Sequence, residues 1–278
     1  MGCLQLIINA DDLGWLPRRD DGIWSCVDRG IVTSVSLMAN GAAFSSAVTA
    51  LRQRNVGLGV HLNLSDGCAL TGQIAGLTDD RGGFLGKQRS RRAFMSRCYD
   101  VAAAKAELWA QLDRVRQTGL LVDHVDTHQH MMIFPGVTEL ILALCRESGV
   151  TALRLPCMAE PDIPNQPVAL RNELLLYRQH EARIRGLVAA SRLWTPDGLY
   201  GMPLLNRLDE AALLCLIPQL PPGCWELMVH PGEQNAGDPF GGVERKIEQV
   251  ALLSSRVREA LDECRIGLIT FGETRCVS

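Results

Sequence analysis

Short apolar runs recur along the chain and alternate with longer segments of helical periodicity. Seven runs have the length and composition of buried strands: residues 4–9, 34–40, 57–64, 120–128, 151–156, 225–230 and 266–271. Apolar residues at helical spacing fill four of the segments between them: 42–54, 102–119, 137–149 and 244–264. This alternation predicts an α/β fold in which helices surround a mostly parallel sheet, either open or closed into a barrel.

Polar residues that could carry chemistry cluster where the predicted strands stop. They are Asp11, Asp12, Asn40, His61, Asn63, His128, His130, Arg154 and His230. The carboxyl ends of the strands of a (β/α) barrel meet at one mouth. We therefore expect these residues, which come from six different strands, to face one small volume.

The composition narrows the class of protein. The 278 residues are 47% hydrophobic and 21% charged, with a formal net charge of −3, which is typical of a globular protein. We expect residues 1–278 to form a single domain. The dispersed basic residues give no stripe for nucleic acid, and we expect no membrane association. Ten scattered cysteines without a CxxC pair, and no recognisable signal peptide, favour reduced thiols and a cytoplasmic location.

The segment HVDTHQHMMIFPG, residues 124–136, holds three of the six histidines of the chain. In an extended strand, residues 124, 126, 128 and 130 would share one face and form a ladder of His124, Asp126, His128 and His130. A bound divalent cation would remove the cost of burying that ladder. An exposed edge strand or a fully hydrogen-bonded core network would explain it as well.

Three other motifs add candidates. In NADDLG, one of the paired acids Asp11 and Asp12 could bind a metal while its neighbour accepts a proton, although such a pair is also common in helix caps. His61, in GVHLNL, could face the same mouth because it lies near a strand end, or it could be a purely structural histidine of its apolar strand. His230 in MVHPG could donate a proton, or could be a turn residue bonded to a carbonyl.

These motifs, with GIVTSVSLMANGAAF and RLP, occur in order along most of the chain. Together they resemble the YdjC-like carbohydrate deacetylases. The resemblance implies an irregular (β/α) barrel, similar to the polysaccharide deacetylase barrel, and one divalent metal held by Asp12, His61 and His128. It also implies that Asp11 is the general base, that His230 is the acid and that Arg154 braces the base or the substrate. Asn40 and Asn63 would line the mouth.

The remaining site predictions concern support and substrate. Asp126 and His130 would orient His128. Trp194, Asp197 and Tyr200, in WTPDGLYG, are candidates for sugar binding, with membership of the core as the alternative for the two aromatics. The chain departs from the family at Met132, where a further histidine is usual. A thioether neither shuttles protons nor binds a hard cation, so this position bears on activity.

We therefore predict a hydrolase that removes acetyl groups from N-acetylated sugars of the N-acetylglucosamine type. Mg²⁺ or Zn²⁺ is the first expectation for the cofactor, with Mn²⁺ or Co²⁺ as alternatives. One alternative function is a catalytically impaired carbohydrate-binding protein on the same fold. Another is a metal-dependent phosphoesterase or amidohydrolase. The oligomeric state is open, with a homodimer as one option.

Overall fold

The computed structural model describes residues 4–160, 166–238 and 240–273. Within these residues seven strands form one parallel sheet: β1 Leu4–Leu13, β2 Ser34–Leu37, β3 Gly57–Leu62, β4 His124–Thr127, β5 Leu199–Tyr200, β6 Gly223–Val229 and β7 Gly267–Leu268. Their spatial order is β4, β3, β2, β1, β6 and β5, with β7 beside the start of β1. The curled sheet confirms the predicted α/β fold and its irregular barrel.

Helices connect the strands and cover the outside of the sheet. They are α1 Pro17–Asp28, α2 Phe44–Leu51, α3 Lys87–Ser96, α4 Val101–Arg116, α5 Val137–Ser148, α6 Val168–Ser191, α7 Glu210–Leu216, α8 Val243–Leu252 and α9 Ser255–Glu263. Short 3₁₀ segments span His128–Ile133 and Ile217–Gln219. Several helix starts are fixed locally: Pro17 opens α1, and Asp100 and Asp209 accept hydrogen bonds from the first turns of α4 and α7.

The gap between β4 and β5 is closed by an irregular segment rather than by a strand. Leu153 bridges to Val125 of β4, and Met158 bridges to Leu199 of β5. The prediction of a regular strand over 151–156 is therefore wrong. The segment forms only isolated bridges, although it runs parallel to its neighbours. The backbone amide of Arg154 donates to the Val125 carbonyl at 3.0 Å. This hydrogen bond holds the backbone of Arg154 beside β4.

The two faces of the strands differ in polarity, as a period of two requires. Val35, Leu37 and Val60 pack in the core between sheet and helices. The interior face carries buried polar residues instead, among them Ser36 and Asp126. Glycine at position 59 of β3 makes room for the imidazole of His124 on β4, since a Cβ there would lie 2.2 Å from His124 Nε2.

Other elements differ from the sequence prediction. The periodic segment 244–264 is two helices, because the chain turns at Leu253 and Ser254. The Gly-rich residues 65–87, which show no helical or strand periodicity, form a loop that packs on the barrel: Ile74 and Leu77 are fully buried, and Glu107 of α4 accepts a hydrogen bond from the amide of Leu70. The Pro-rich stretch 156–167 lies partly outside the described residues. That the chain is a single domain stays a prediction.

Among the described helices, none is both long enough and apolar enough to traverse a bilayer.

Candidate active site

The end of β1 places two adjacent carboxylates on the same side of the sheet. Normally Asp11 and Asp12 would point to opposite faces. A bulge between Ala10 and Leu13 breaks the register with β2, and Asp12 adopts a left-handed backbone with φ 67°. Both side chains consequently lie at the carboxyl end of the barrel, nearly completely buried.

Asp12, His61 and His128, the three metal ligands that the family resemblance implies, form a compact cluster. Asp12 Oδ1 lies 3.1 Å from His128 Nδ1 and 3.6 Å from His61 Nε2, and the two ring nitrogens are 3.3 Å apart. Ligand atoms that share one ion at about 2.1 Å from each are separated by roughly 3.0–3.4 Å. The three atoms thus have the spacing of a set that could hold a metal ion.

The second nitrogen of each histidine is bound to a carboxylate. His61 Nδ1 lies 3.0 Å from Asp126 Oδ1, and His128 Nε2 lies 3.0 Å from Asp66 Oδ2. A proton on each of these outer nitrogens leaves the inner nitrogen with a free lone pair. Metal-binding histidines are oriented in this way by carboxylates.

Two further observations fit a cation at this point. Asp12 Oδ1 is buried and close to both rings, yet it accepts no well-oriented hydrogen bond. Burial by itself would lower the pKa of His128, but its contacts with Asp12 and Asp66 outweigh burial and raise that pKa to about 9. The two carboxylates thus favour a positive charge at this ring, and a divalent cation on the inner nitrogen would supply that charge in place of a second ring proton.

Asp11 is bound by a buried arginine. Arg154 donates from Nη2 to Asp11 Oδ1 at 2.6 Å and from Nη1 to Asp11 Oδ2 at 2.7 Å. The same guanidinium contacts Glu226 and Asp126. Burial raises the pKa of Asp11, but Arg154 and His61 outweigh burial and hold it below its ordinary value. Asp11 is consequently ionised at neutral pH, whereas burial raises the pKa of Glu226.

His230 follows β6 and faces Asp11. Its Nε2 lies 3.9 Å from Asp11 Oδ2, and its backbone amide donates to Glu248 Oε1 at 2.5 Å. Burial lowers the pKa of the ring to about 4, with Arg245 and Arg154 acting in the same direction. The ring is therefore neutral near pH 7.

A cavity of about 240 Å³ opens onto these residues. Its opposite wall comes from α3, the 3₁₀ segment His128–Ile133, α6 and the segment 202–206. That wall contains Lys87, Glu173, Tyr177, His130, Leu170, Leu174, Met202, Leu205 and Asn206. The cavity thus has a charged face at the strand ends and a mixed face opposite, where an ammonium and a carboxylate stand beside leucines.

Two predicted supporting residues contact other groups than expected. Asp126 binds His61 rather than His128, because β4 pairs directly with β3 and places Asp126 opposite residue 61. The chain leaves the strand after Thr127, and His130 has φ 53°. Its ring therefore does not extend the ladder. It lines the cavity against Tyr177 at a centroid distance of 5.5 Å.

The asparagines predicted at the mouth hold a loop. Asn63 Nδ2 donates to the Asp66 carbonyl at 2.7 Å, and Asn40 Nδ2 donates to the same oxygen at 2.9 Å. Neither side chain is among those lining the cavity. Because Asp66 contacts His128, the two amides support the site from behind.

The predicted sugar-binding residues of WTPDGLYG lie away from the cavity. Trp194 packs edge-on against Phe271, and Tyr200 packs against Trp225. Asp197 accepts a hydrogen bond from the backbone amide of residue 224. None of the three lines the cavity, contrary to the expectation that they contact the sugar. The two aromatics belong to apolar clusters instead.

Met132 lies in the 3₁₀ segment with its side chain in the hydrophobic core. It is 1% exposed and does not line the cavity. The departure from the family pattern at this position therefore falls behind the site rather than in it.

Sequence reasoning missed several residues that complete the site. They are Arg19, Arg245, Asp66, Glu226 and Glu248. Glu226 gave a signal, since it is a charge inside an apolar strand. The other four lie on helices or loops, and their sequence context shows only ordinary surface polarity.

A family model for YdjC-like proteins matches residues 5–263, a range that includes the residues brought together at this site. The chain belongs to the YdjC-like family. Two curated relatives are both called carbohydrate deacetylase. The mouse protein is 33% identical over 86% of this chain and 81% of its own length, and the Xenopus laevis protein is 34% identical over 86% and 84%.

A solved structure has the same fold as this YdjC-like chain. It is an Enterococcus faecalis protein described as a cellobiose-phosphate cleavage protein. The two chains superpose with a TM-score of 0.74 at 23% identity, covering 98% of this chain and 99% of the other. At this identity the likeness concerns the fold.

Proposed function

We propose that this protein is a metal-dependent carbohydrate deacetylase that hydrolyses the acetamide of an N-acetylated sugar. The observation that carries the proposal is the trio Asp12, His61 and His128, with three facing atoms 3.1–3.6 Å apart, beside the ionised Asp11. One acid that binds a cation and a neighbouring acid that accepts a proton suit metal-assisted hydrolysis. The names of the relatives agree with this reaction.

A divalent cation held by these three residues would polarise the acetyl carbonyl and favour ionisation of a water molecule. The donor set suits Zn²⁺, Mn²⁺ and Co²⁺ and tolerates Mg²⁺. We expect Mg²⁺ or Zn²⁺ first.

Asp11 acts as the general base. Its carboxylate is ionised near neutral pH and takes the proton of the attacking water. Arg154 binds both of its oxygens, which fixes the direction of the carboxylate and prevents it from turning toward the cation.

His230 delivers the proton to the departing amine. Because its ring is neutral at the start, it must first receive a proton. Asp11 is the nearest source, since Oδ2 lies 3.9 Å from His230 Nε2. The proton removed from water would then pass from Asp11 to His230 and on to the amine nitrogen, leaving acetate and a free amino sugar.

The substrate is an N-acetylated sugar of the N-acetylglucosamine type. In the wall opposite the strand ends the Lys87 ammonium is paired with the Glu173 carboxylate at 2.8 Å, and we propose that this pair also binds sugar hydroxyls. Leu170 and Leu174 of the same wall would contact the apolar face of a sugar ring. We propose neither nucleic acid nor a membrane as a partner, and a homodimer is one option for assembly.

We place the protein in the cytoplasm. The ten cysteines are scattered along the sequence without a CxxC pair, a pattern that favours reduced thiols in a reducing compartment.

The test is acetate release from N-acetylglucosamine and its oligomers by protein stripped with chelator and reloaded with Mg²⁺, Zn²⁺, Mn²⁺ or Co²⁺. Activity restored by one metal per chain supports the proposal. Two metals per chain with phosphoesterase activity would favour the phosphoesterase alternative. Sugar binding without acetate release would favour an impaired binding protein.

Asp11→Asn tests the base. Asparagine keeps the shape of the side chain but cannot accept the proton, so turnover should fall by about a hundredfold or more. Metal content, measured by elemental analysis, should stay at the wild-type level because Asp11 is outside the trio. Full activity in this variant would refute the role.

A further inference from the structure

We infer that Arg19 and Arg245 form a clamp on Asp12 that limits this residue to one oxygen ligand and leaves the bound cation strongly electrophilic. We call the two side chains the arginine clamp. The inference rests on the proposed metal site, and concerns how that site is tuned rather than which reaction it catalyses.

Both guanidiniums bind the same carboxylate oxygen. Arg19 Nη1 lies 3.0 Å and Arg245 Nη2 lies 2.8 Å from Asp12 Oδ2. The other oxygen, Oδ1, faces His61 and His128. The side chains of Arg19, Arg245 and Asp12 are only 2%, 7% and 4% exposed, so water does not compete for these contacts.

The clamp is held in place independently of Asp12. Asp238 Oδ2 accepts from Arg19 at 3.1 Å through Nε and at 2.5 Å through Nη2. Arg245 Nε donates to the Phe240 carbonyl at 2.5 Å. The helix that carries Arg19 also packs closely on the turn after His230, where a Cβ on Gly22 would lie 2.3 Å from Gly232 Cα.

Two charge-assisted hydrogen bonds occupy the outward oxygen of Asp12. With its lone pairs engaged, Oδ2 cannot join Oδ1 in chelating an ion. The two arginines together with Asp12 and Asp238 also form an electrically neutral group before any cation binds. Asp12 therefore neutralises less of the charge of a bound ion than an unpaired aspartate would, and positions remain for water and substrate oxygen.

A purely structural role is the alternative. Buried arginines are often present only to compensate a buried carboxylate. Removing partners that merely orient a metal ligand weakens metal binding, typically by about 10–100-fold. Removing a clamp that restrains chelation has the opposite effect, because Oδ2 becomes free to bind and two competing positive charges are lost. The sign of the change in affinity separates the two roles.

The test loads Co²⁺ into wild-type protein and into Arg19→Met/Arg245→Met. X-ray absorption and the visible Co²⁺ spectrum report the number of ligands, and calorimetry gives Kd. We expect the double variant to gain one oxygen ligand and to bind Co²⁺ roughly tenfold more tightly or better. Arg245→Lys, which keeps a donor and a charge near Oδ2, should retain the wild-type spectrum.

Arg116→Met is a matched control, because Arg116 donates to the Ser148 carbonyl on the outside of the barrel. Should the double variant not fold, Arg245→Met alone, which keeps Arg19 on Asp12, should show a smaller shift in the same direction. Weaker binding, or an unchanged ligand number with unchanged affinity, would overturn the clamp. Failure of wild-type protein to bind Co²⁺ would instead refute the metal site.

Discussion

The barrel holds histidine–aspartate pairs at both of its ends, and the two ends use them differently. Toward the amino end, His124 Nδ1 binds Asp123 at 2.6 Å, its Nε2 lies 3.4 Å from Ser36 Oγ, and its ring stacks on Phe271 at 3.8 Å. At the carboxyl end, His61 and His128 each bind a carboxylate through one nitrogen and turn the other toward Asp12.

The difference lies in the ring nitrogens that are not used to hold the imidazole in place. Both nitrogens of His124 are used by the protein, and its faces are covered, so the ring serves packing. The histidines at the carboxyl end keep one lone pair each, directed at a shared point. Residue type and burial alone do not separate a structural histidine from a ligand, whereas an unused atom facing other unused atoms does.

The largest expected effect comes from replacing one histidine at each end. His128→Ala should lose the cation and with it all measurable acetate release, because a ligand atom is removed. His124→Ala should keep its metal but lower the free energy of unfolding by about 2–4 kcal/mol, since a stacked buried ring is lost. Elemental analysis and denaturant unfolding measure the two effects.

Each variant is the control for the other, as both truncate a buried histidine on or next to the same strand. One metal per chain in His128→Ala would contradict the assignment of His128 as a metal ligand. Metal loss in a folded His124→Ala protein would mean that the two ends do not differ as described.

A smaller effect is expected from Asp126→Asn. The amide of asparagine can still contact His61, but it no longer favours a proton on Nδ1 as a carboxylate does. The inner nitrogen, Nε2, is then less often free to bind a metal. We expect metal affinity to fall by about 10–100-fold, as for other partners of metal-binding histidines. Asp123→Asn, at the opposite end, is the matched control and should leave metal affinity at the wild-type value. Equal losses in both variants would contradict the comparison.

The last effect concerns an acid at the carboxyl end whose partner is a backbone amide instead of an imidazole, and it changes stability and not metal binding. Glu248 binds the backbone amide of His230, and burial raises its pKa from 4.5 to about 7. Between these values the folded protein holds a proton that the unfolded chain releases. The stability due to this group is therefore complete below pH 4.5 and is lost as the pH rises through about 7.

Glu248→Gln keeps the acceptor oxygen without the charge. It should match wild type in stability at pH 4.5 and exceed it at pH 8 by on the order of 2–3 kcal/mol, measured by urea unfolding at both pH values. Glu263→Gln, on an exposed turn of α9, should show no such dependence. An equal difference at both pH values would show that Glu248 does not titrate in this range.

Sequence rules based on strand periodicity were reliable for residues that lie within a strand or directly at its end. The apolar runs at 4–9 and 57–64 lie in strands, and the polar residues that end them lie at one edge of the sheet. The same rules were wrong after Thr127, where two successive left-handed residues turn His130 off the strand face. Trp194, a candidate for sugar binding by its residue type, instead packs on Phe271 away from the cavity, as its alternative of core membership allowed.

The sequence by itself determined the parallel α/β fold and the polar residues at the strand ends, because strand periodicity and strand ends are local properties of the chain. The barrel and the trio Asp12, His61 and His128 came from the resemblance of its motifs to a family. Only the tertiary structure decided which oxygen of Asp12 faces the histidines and which imidazole is merely packed. Those outcomes depend on contacts between distant segments, such as that of Arg245 with Asp12 across 233 positions of the chain. A spacing of residues cannot specify such contacts, because the folded backbone creates them.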